Sequence, residues 1–126
     1  QAARAYIDSL ATVAGISMQL IPESSASSWK DFCIRVDPVA AGLDRDALRA
    51  GLSAAGIDTR AYYSPPCHQM TAFEAFAAGS SLPITNRLAD SLLALPMGSH
   101  VSAEVATQVA GAIRRLVSHA RQAVTA

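Results

Sequence analysis

Apolar residues recur at three- and four-residue spacing in three long segments, and this periodicity predicts three amphipathic helices. The first runs from the N-terminus to a stop at Gly15, and the second runs from a cap at Asp44 to a stop at Gly56. The third begins after Ser102 and continues into the C-terminal region. The residues that repeat on the apolar faces include Ala3, Tyr6, Ile7, Leu10, Ala47, Leu48, Leu52, Val105, Val109, Ile113 and Val117.

Two shorter helical segments are predicted between the second and third long helices. Residues 71–78 are rich in Ala and Phe and predict a short helical turn, which ends at the Gly-Ser-Ser run 79–81. Thr85 is then predicted to cap a helix with Leu88, Leu92 and Leu95 in one stripe, and Pro96 is expected to stop it.

Short apolar runs between the helices predict a small β-sheet. Residues 17–21 and Phe32–Val36 read as strands separated by a polar, serine-rich turn, and a third strand is expected to start at Ile57 after the glycine stop. We therefore expect an α+β fold, with a small antiparallel sheet of about three strands covered by helices. Because no linker or repeat divides the chain, residues 1–126 are expected to form a single domain.

Composition narrows the classes of function. Ten basic and ten acidic side chains cancel without clustering, so nothing predicts a nucleic-acid or anionic membrane partner. The sequence contains no apolar stretch near the roughly 20 residues of a membrane span, and its N-terminus lacks a signal-peptide pattern. The expected location is therefore cytoplasmic.

The two cysteines, Cys33 and Cys67, lack the number and spacing of a disulfide framework, and we expect no disulfide between them.

The most informative segment is the loop after Gly56, which contains paired tyrosines, paired prolines and a histidine. Packing alone does not require Tyr62, Tyr63 and His68 in one short loop, and such loops commonly serve a binding site. The alternative is structural, because Tyr62 and Tyr63 would alternate along a strand, one inward and one outward. His68 is equally compatible with a surface position or a helix cap.

Several segments of the chain resemble the carboxyl-terminal domain of the DegT/DnrJ/EryC1/StrS family of pyridoxal-phosphate-dependent sugar aminotransferases. The loop 56–68 carries part of the resemblance, and residues 82–97 resemble that family's Leu-Pro-Val-Thr and Leu-Ser-Leu-Pro segment. Phe32–Val36 is similar to its Phe-x-Ile-Arg-Val strand, and residues 101–102 and 113–114 are similar to its closing helix. The similar segments cover about four fifths of the chain, in the same order as in the family.

The resemblance implies a substrate-binding role for this loop in a longer enzyme. It places Tyr62, Tyr63, Pro66 and His68 near the cleft that a nucleotide-linked sugar enters. Arg60 matches an arginine that is frequent in the family, and its guanidinium group is suited to contact a phosphate. A surface ion pair is the other interpretation of Arg60. The implied partners are a large pyridoxal-phosphate domain of the same polypeptide and a second subunit in a homodimer. Two positions depart from the family pattern: Ala61 replaces a frequent proline, and Cys67 replaces the usual leucine.

The chemistry of the family requires a lysine that forms a Schiff base with the cofactor, and Lys30 is the only lysine in the sequence. Lys30 lies in the polar turn and does not match the family's lysine motif. We therefore expect no catalytic residue and no cofactor-binding residue in this chain, which would be inactive alone. The three histidines lack metal-ligand spacing, and no metal site is expected.

Three functions remain open at this point. The leading interpretation is a fragment of a sugar aminotransferase that contributes to the substrate cleft. The second keeps the fold but makes the whole protein a sugar dehydratase, since the residue that decides between them lies outside this chain. The third is a stand-alone binding or dimerisation module with an exposed apolar face.

Overall fold

The computed structural model of the chain describes residues 1–77 and 81–124. Within them the elements are α1 (Ala2–Leu10), β1 (Ile16–Met18), β2 (Phe32–Val36), α2 (Pro38–Ala41), α3 (Arg45–Ala54), α4 (Glu74–Ala77), α5 (Pro83–Ser91), β3 (Leu92–Leu95) and α6 (Ala103–Val124). Two 3-10 turns, Cys67–Gln69 and Thr71–Phe73, precede α4. Positions 78–80, which include the end of the predicted helical turn and most of the Gly-Ser-Ser run, lie outside the described residues.

The three strands form one antiparallel sheet in the order β1-β2-β3, which confirms the predicted fold class. In the central strand, Ile34 lies opposite Met18 of β1 and Leu93 of β3. Phe32, Ile34 and Val36 are buried and alternate with the more accessible Cys33 and Arg35. The alternation gives the sheet one core face and one face on which α5 contacts β2.

The third strand does not start at Ile57, so that prediction is wrong. The amide of Gly56 donates to the carbonyl oxygen of Ser53, and the amide of Ile57 donates to that of Leu52. Gly56 has a φ of +76°, and together these features form a Schellman cap at the end of α3. Because the Ile57 amide completes the helix cap, the chain reaches the sheet later, at a single bridge between Arg60 and Ala94.

The third strand is instead Leu92–Leu95, which the leucine spacing assigned to a helix. The helix α5 begins at Pro83, so Thr85 lies inside its first turn and is not its cap. It ends at Ser91, because Leu92 adopts an extended backbone (φ −82°, ψ 137°). The side chains of Leu93, Ala94 and Leu95 are all buried in the resulting strand.

The helix α6 packs along α1 and also contacts α2 and α3, which closes the core against the sheet.

The helix α1 ends at Leu10, before the predicted stop, and Gly15 lies in the turn that leads into β1. The four-residue helix α2 is too short to be indicated by periodicity, and Asp37 caps it by accepting from the amides of Val39 and Ala40. No helix among the described residues is both long and apolar enough to span a bilayer.

Candidate functional site

The residues that the sequence singled out lie in the segment that connects the edge of the sheet to α4. The backbone of Arg60 forms two hydrogen bonds with that of Ala94, and the chain then leaves the sheet. We call residues 61–70 the tyrosine loop. Its second half is folded by short-range bonds, since the Gln69 amide donates to the Pro66 carbonyl oxygen at 2.8 Å and the Met70 amide to the Cys67 carbonyl oxygen at 3.1 Å.

The two tyrosines of the loop are stacked on each other. Their ring centroids are 5.1 Å apart and the ring planes are inclined by 27°. Tyr62 is 37% exposed and Tyr63 is 67% exposed, so neither side chain belongs to the core. The alternative of one core tyrosine and one surface tyrosine is therefore wrong, and both rings are available at the surface.

The tyrosine loop and α5 face each other across a groove of about 410 Å³, which we call the aromatic groove. One wall comes from the loop and the other from the region of α5. The lining residues are Tyr62, Tyr63, Pro66, Cys67 and His68 on the loop side, and Leu82, Thr85, Leu88, Ala89 and Leu92 on the other. The lining is mostly apolar, with a few hydroxyl and imidazole groups, which is the usual character of a small-molecule site.

A side-chain hydrogen bond joins the two walls. The Nε2 atom of Gln69, at the end of the tyrosine loop, donates to the Oδ1 atom of Asn86 in α5 at 3.0 Å. Both groups are exposed to solvent, so the bond is expected to contribute only modestly to stability. Its geometric effect is to link the loop to the helix beside the groove.

Arg60 does not line the aromatic groove. Its Nη2 atom lies 2.9 Å from the Oδ2 atom of Asp58, and both side chains are well exposed. The arginine lines a neighbouring groove of about 410 Å³, together with Thr59, His100 and Tyr62. Of the four predicted substrate-binding residues, the structure brings Tyr62, Tyr63 and His68 together, whereas Arg60 forms the surface ion pair that the sequence left open.

The opposite wall of the groove was missed by the sequence analysis. The sequence placed Leu88, Leu92 and Leu95 in one helical stripe, but Leu88 is 40% exposed and lines the groove together with Leu92. Of the nine residues of α5, Ala89 is the one that is buried, so Leu88 stays accessible on the surface of the helix. The exposure of Leu88 and the end of α5 at Ser91 are not visible in the sequence, so no sequence signal identified this wall.

The residues described here do not fit the role of holding pyridoxal phosphate. Lys30 is exposed and lines a different groove, with Trp29, Gln1 and Met97. No cluster of three potential metal ligands occurs within residues 1–77 and 81–124. Because the one lysine lies away from the aromatic groove, we derive no step of cofactor chemistry from this chain.

The chain belongs to the DegT/DnrJ/EryC1/StrS aminotransferase family, whose model matches residues 1–114. The matched residues include the tyrosine loop and both walls of the aromatic groove.

Among individual relatives, the chain is 32% identical over 119 residues to dTDP-3-amino-3,4,6-trideoxy-alpha-D-glucose transaminase from Streptomyces venezuelae. It is 34% identical over 104 residues to UDP-N-acetyl-3-dehydro-alpha-D-glucosamine 3-aminotransferase from Acidithiobacillus ferrooxidans. These alignments cover 94% and 80% of this chain, but only 30% and 26% of the relatives. The chain therefore spans less than a third of the length of either enzyme.

A solved structure shares the fold over nearly the whole chain. The crystal structure of DesI in the presence of its TDP-sugar product superposes with a TM-score of 0.85 at 27% sequence identity. The superposition covers 98% of this chain and 31% of that one.

Proposed function

We propose that this chain is the carboxyl-terminal small domain of a pyridoxal-phosphate-dependent aminotransferase that acts on a keto sugar linked to a nucleoside diphosphate. In this proposal the aromatic groove forms part of the substrate cleft, and the chain is inactive alone. The observation that carries the proposal is the grouping of Tyr62, Tyr63 and His68 in one groove, in a chain whose relatives are named as nucleotide-sugar aminotransferases. The large domain would supply the cofactor and its lysine.

The lining of the aromatic groove suits a sugar nucleotide. The exposed ring of Tyr63 presents a flat apolar face to a sugar or base, and its hydroxyl group can form a hydrogen bond. His68 is half-buried, and its ring nitrogen atoms can form hydrogen bonds with a ligand. Pro66 is a buried member of the same loop, and its ring restricts the backbone between these two side chains.

Exposed aromatic side chains beyond the groove support docking to the rest of a longer polypeptide. Phe76 is 85% exposed and Phe73 is 45% exposed, and both follow the tyrosine loop directly. Exposed aromatic side chains grouped in one segment are typical of surfaces that another structure covers, whereas a single exposed apolar residue such as Val39 is ordinary. Because the matched relatives are more than three times longer than the aligned region, we assign this surface to the large domain of the same polypeptide.

The test uses the full-length protein with Tyr63→Ala and His68→Ala variants, and His119→Ala as a matched control on the exposed side of α6. We expect each groove variant to raise the KM for the nucleotide-linked keto sugar about tenfold, since one hydrogen bond or stacking contact contributes about 1.4 kcal/mol. The absorbance of the bound cofactor should stay unchanged in all three variants.

Wild-type kinetics in both groove variants would overturn the assignment of the groove. Loss of water from the sugar without amino-group transfer would identify a dehydratase instead. If the gene encodes only this chain, the same aromatic surface should be tested as a dimerisation surface.

A further inference from the structure

A buried arginine stands directly behind one wall of the aromatic groove. Arg45 is only 5% exposed, although it is the first residue of α3 and its neighbours Asp44 and Asp46 are exposed. Removing a guanidinium group from water is unfavourable unless its donors find partners. The partners of Arg45 therefore show what this side chain is placed to hold.

The guanidinium group contacts two backbone carbonyls and one carboxylate. Its Nη1 atom donates to the carbonyl oxygens of Ala89 and Leu92, each at 3.1 Å. Its Nε atom lies 2.7 Å from Oδ1 of Asp46 without the angle of a hydrogen bond, and its Nη2 atom donates a long hydrogen bond of 3.5 Å to Oδ2 of the same residue. Asp46 is itself 70% exposed, which keeps its charge solvated while it neutralises the arginine.

The two carbonyls lie at the junction between α5 and β3. Ala89 belongs to the last turn of α5, where carbonyl oxygens lack partners within the helix and a positive charge is favourable. Leu92 is the residue at which the backbone becomes extended. Arg45 thus supplies donors at the point where the helix ends and the strand begins.

Ala89 and Leu92 both line the aromatic groove, whereas Arg45 lines a separate groove that also contains Arg35 and Asp90. The arginine therefore contacts the α5 wall from outside the aromatic groove. The exposed Gln69–Asn86 bond is another polar link at this wall, and it is open to competition from water.

We propose that Arg45 is a positioning residue for the substrate groove, which fixes the α5 wall at the distance from the tyrosine loop that a nucleotide-linked sugar requires. This inference rests on the function proposed above. The arginine does not touch the ligand, so its removal should alter the fit of the sugar nucleotide without altering the reaction with the amino-acid donor.

The experiment compares Arg45→Lys and Arg45→Gln in the full-length protein with Arg49→Lys and Arg49→Gln, because Arg49 is exposed on the same helix. The half-reaction with the amino-acid donor and the half-reaction with the keto sugar are measured separately. We expect Arg45→Gln to raise the KM for the keto sugar nucleotide about tenfold, because a small displacement of a binding wall has a large effect on fit. Arg45→Lys should recover part of this loss, and the amino-donor half-reaction should remain at the wild-type rate.

Asp46→Asn provides a second variant in case Arg45→Gln fails to fold, since it weakens the charge contact and leaves the guanidinium in place. A smaller rise in the same KM is expected. Equal losses in both half-reactions would indicate a merely structural arginine and overturn the proposal, as would a wild-type KM in a folded Arg45→Gln or, if that variant does not fold, in Asp46→Asn. A wild-type enzyme that neither binds nor aminates nucleotide sugars would instead refute the proposed function itself.

Discussion

The hydroxyl group of Tyr6 donates a 2.9 Å hydrogen bond to the carbonyl oxygen of Pro96, the residue that follows β3. The Tyr6 side chain is fully buried, and its ring centroid lies 4.9 Å from that of Phe32 in the central strand. The bond therefore connects the first helix to the end of the sheet through the middle of the core.

Tyr6 should make the stability of the chain depend on alkaline pH. Burial raises the pKa of Tyr6 from 10.0 to about 12. The neutral hydroxyl is favoured in the folded state, so its contribution is complete below pH 10 and is lost as the pH rises from 10 to 12. A difference of two pKa units corresponds to about 3 kcal/mol of unfolding free energy, which is the amount lost over this pH range.

Tyr6→Phe tests this dependence. Below pH 10 the variant should lose about 1–2 kcal/mol of unfolding free energy, because the Pro96 carbonyl loses its partner. Above pH 10 the variant should lose less further stability than the wild type. Urea denaturation at several pH values from 8 to about 11 measures both effects, and parallel pH curves for the two proteins would contradict the prediction.

Gly15 and Gly56 should respond differently to substitution by alanine. Both have a positive φ, +73° and +76° respectively. A Cβ atom at Gly15 would lie 2.6 Å from the Cβ atom of Ala41, whereas one at Gly56 would meet no atom within 4 Å. Gly56→Ala should cost about 1 kcal/mol from backbone strain alone, and Gly15→Ala about 3 kcal/mol or more because a clash is added. Similar unfolding free energies for the two variants would show that the close approach at Ala41 relaxes easily.

The hydrogen bond between Gln69 and Asn86 should show weak but measurable coupling. In a double-mutant cycle of Gln69→Ala and Asn86→Ala, we expect a coupling free energy of about 0.5 kcal/mol, because the pair is exposed. Gln108→Ala, at an exposed position of α6, serves as the control and should be additive with Asn86→Ala. If Gln69→Ala and Asn86→Ala are also additive, the bond between these two side chains does not hold the walls together in solution.

Phe76 should matter only when the rest of the polypeptide is present. Phe76→Ser is expected to change the unfolding free energy of this chain by less than about 0.5 kcal/mol, because the side chain is 85% exposed. In the full-length protein the same change should lower the melting temperature, since the ring is then covered. Val39→Ser, at a position 92% exposed, should leave both proteins unchanged. An unaltered full-length melting temperature for Phe76→Ser would exclude this docking surface.

The features that local sequence determines were predictable. Phe32–Val36 was assigned as a strand because it is a short apolar run that follows a polar turn, and the structure confirms this strand. The cap at Asp44 was recognised from residue type, and in the structure its Oδ1 accepts from the Ala47 amide at 2.8 Å. Tyr62, Tyr63 and His68 were grouped because they lie close in sequence, and they remain close in space.

The features that long-range contacts determine were not predictable in the same way. Leu92–Leu95 becomes a strand because β2, about 60 residues earlier in the chain, pairs with it. Leucine spacing within the segment fits a helix equally well, and only the partner strand decides. Arg45 was overlooked for the same reason, because its acceptors at Ala89 and Leu92 are more than 40 positions away.

Tyr62 borders two grooves at once, the aromatic groove and the neighbouring groove that contains Arg60. A substitution at Tyr62 therefore alters two cavities with one change, and its effect on affinity cannot be attributed to either cavity alone. Tyr63 borders the aromatic groove but is not among the residues that line the groove of Arg60, so it reports on a single cavity. Variants of these adjacent tyrosines therefore report on different cavities. A ligand whose affinity changes when Tyr62 is substituted, but not when Tyr63 is substituted, would be located in the groove of Arg60.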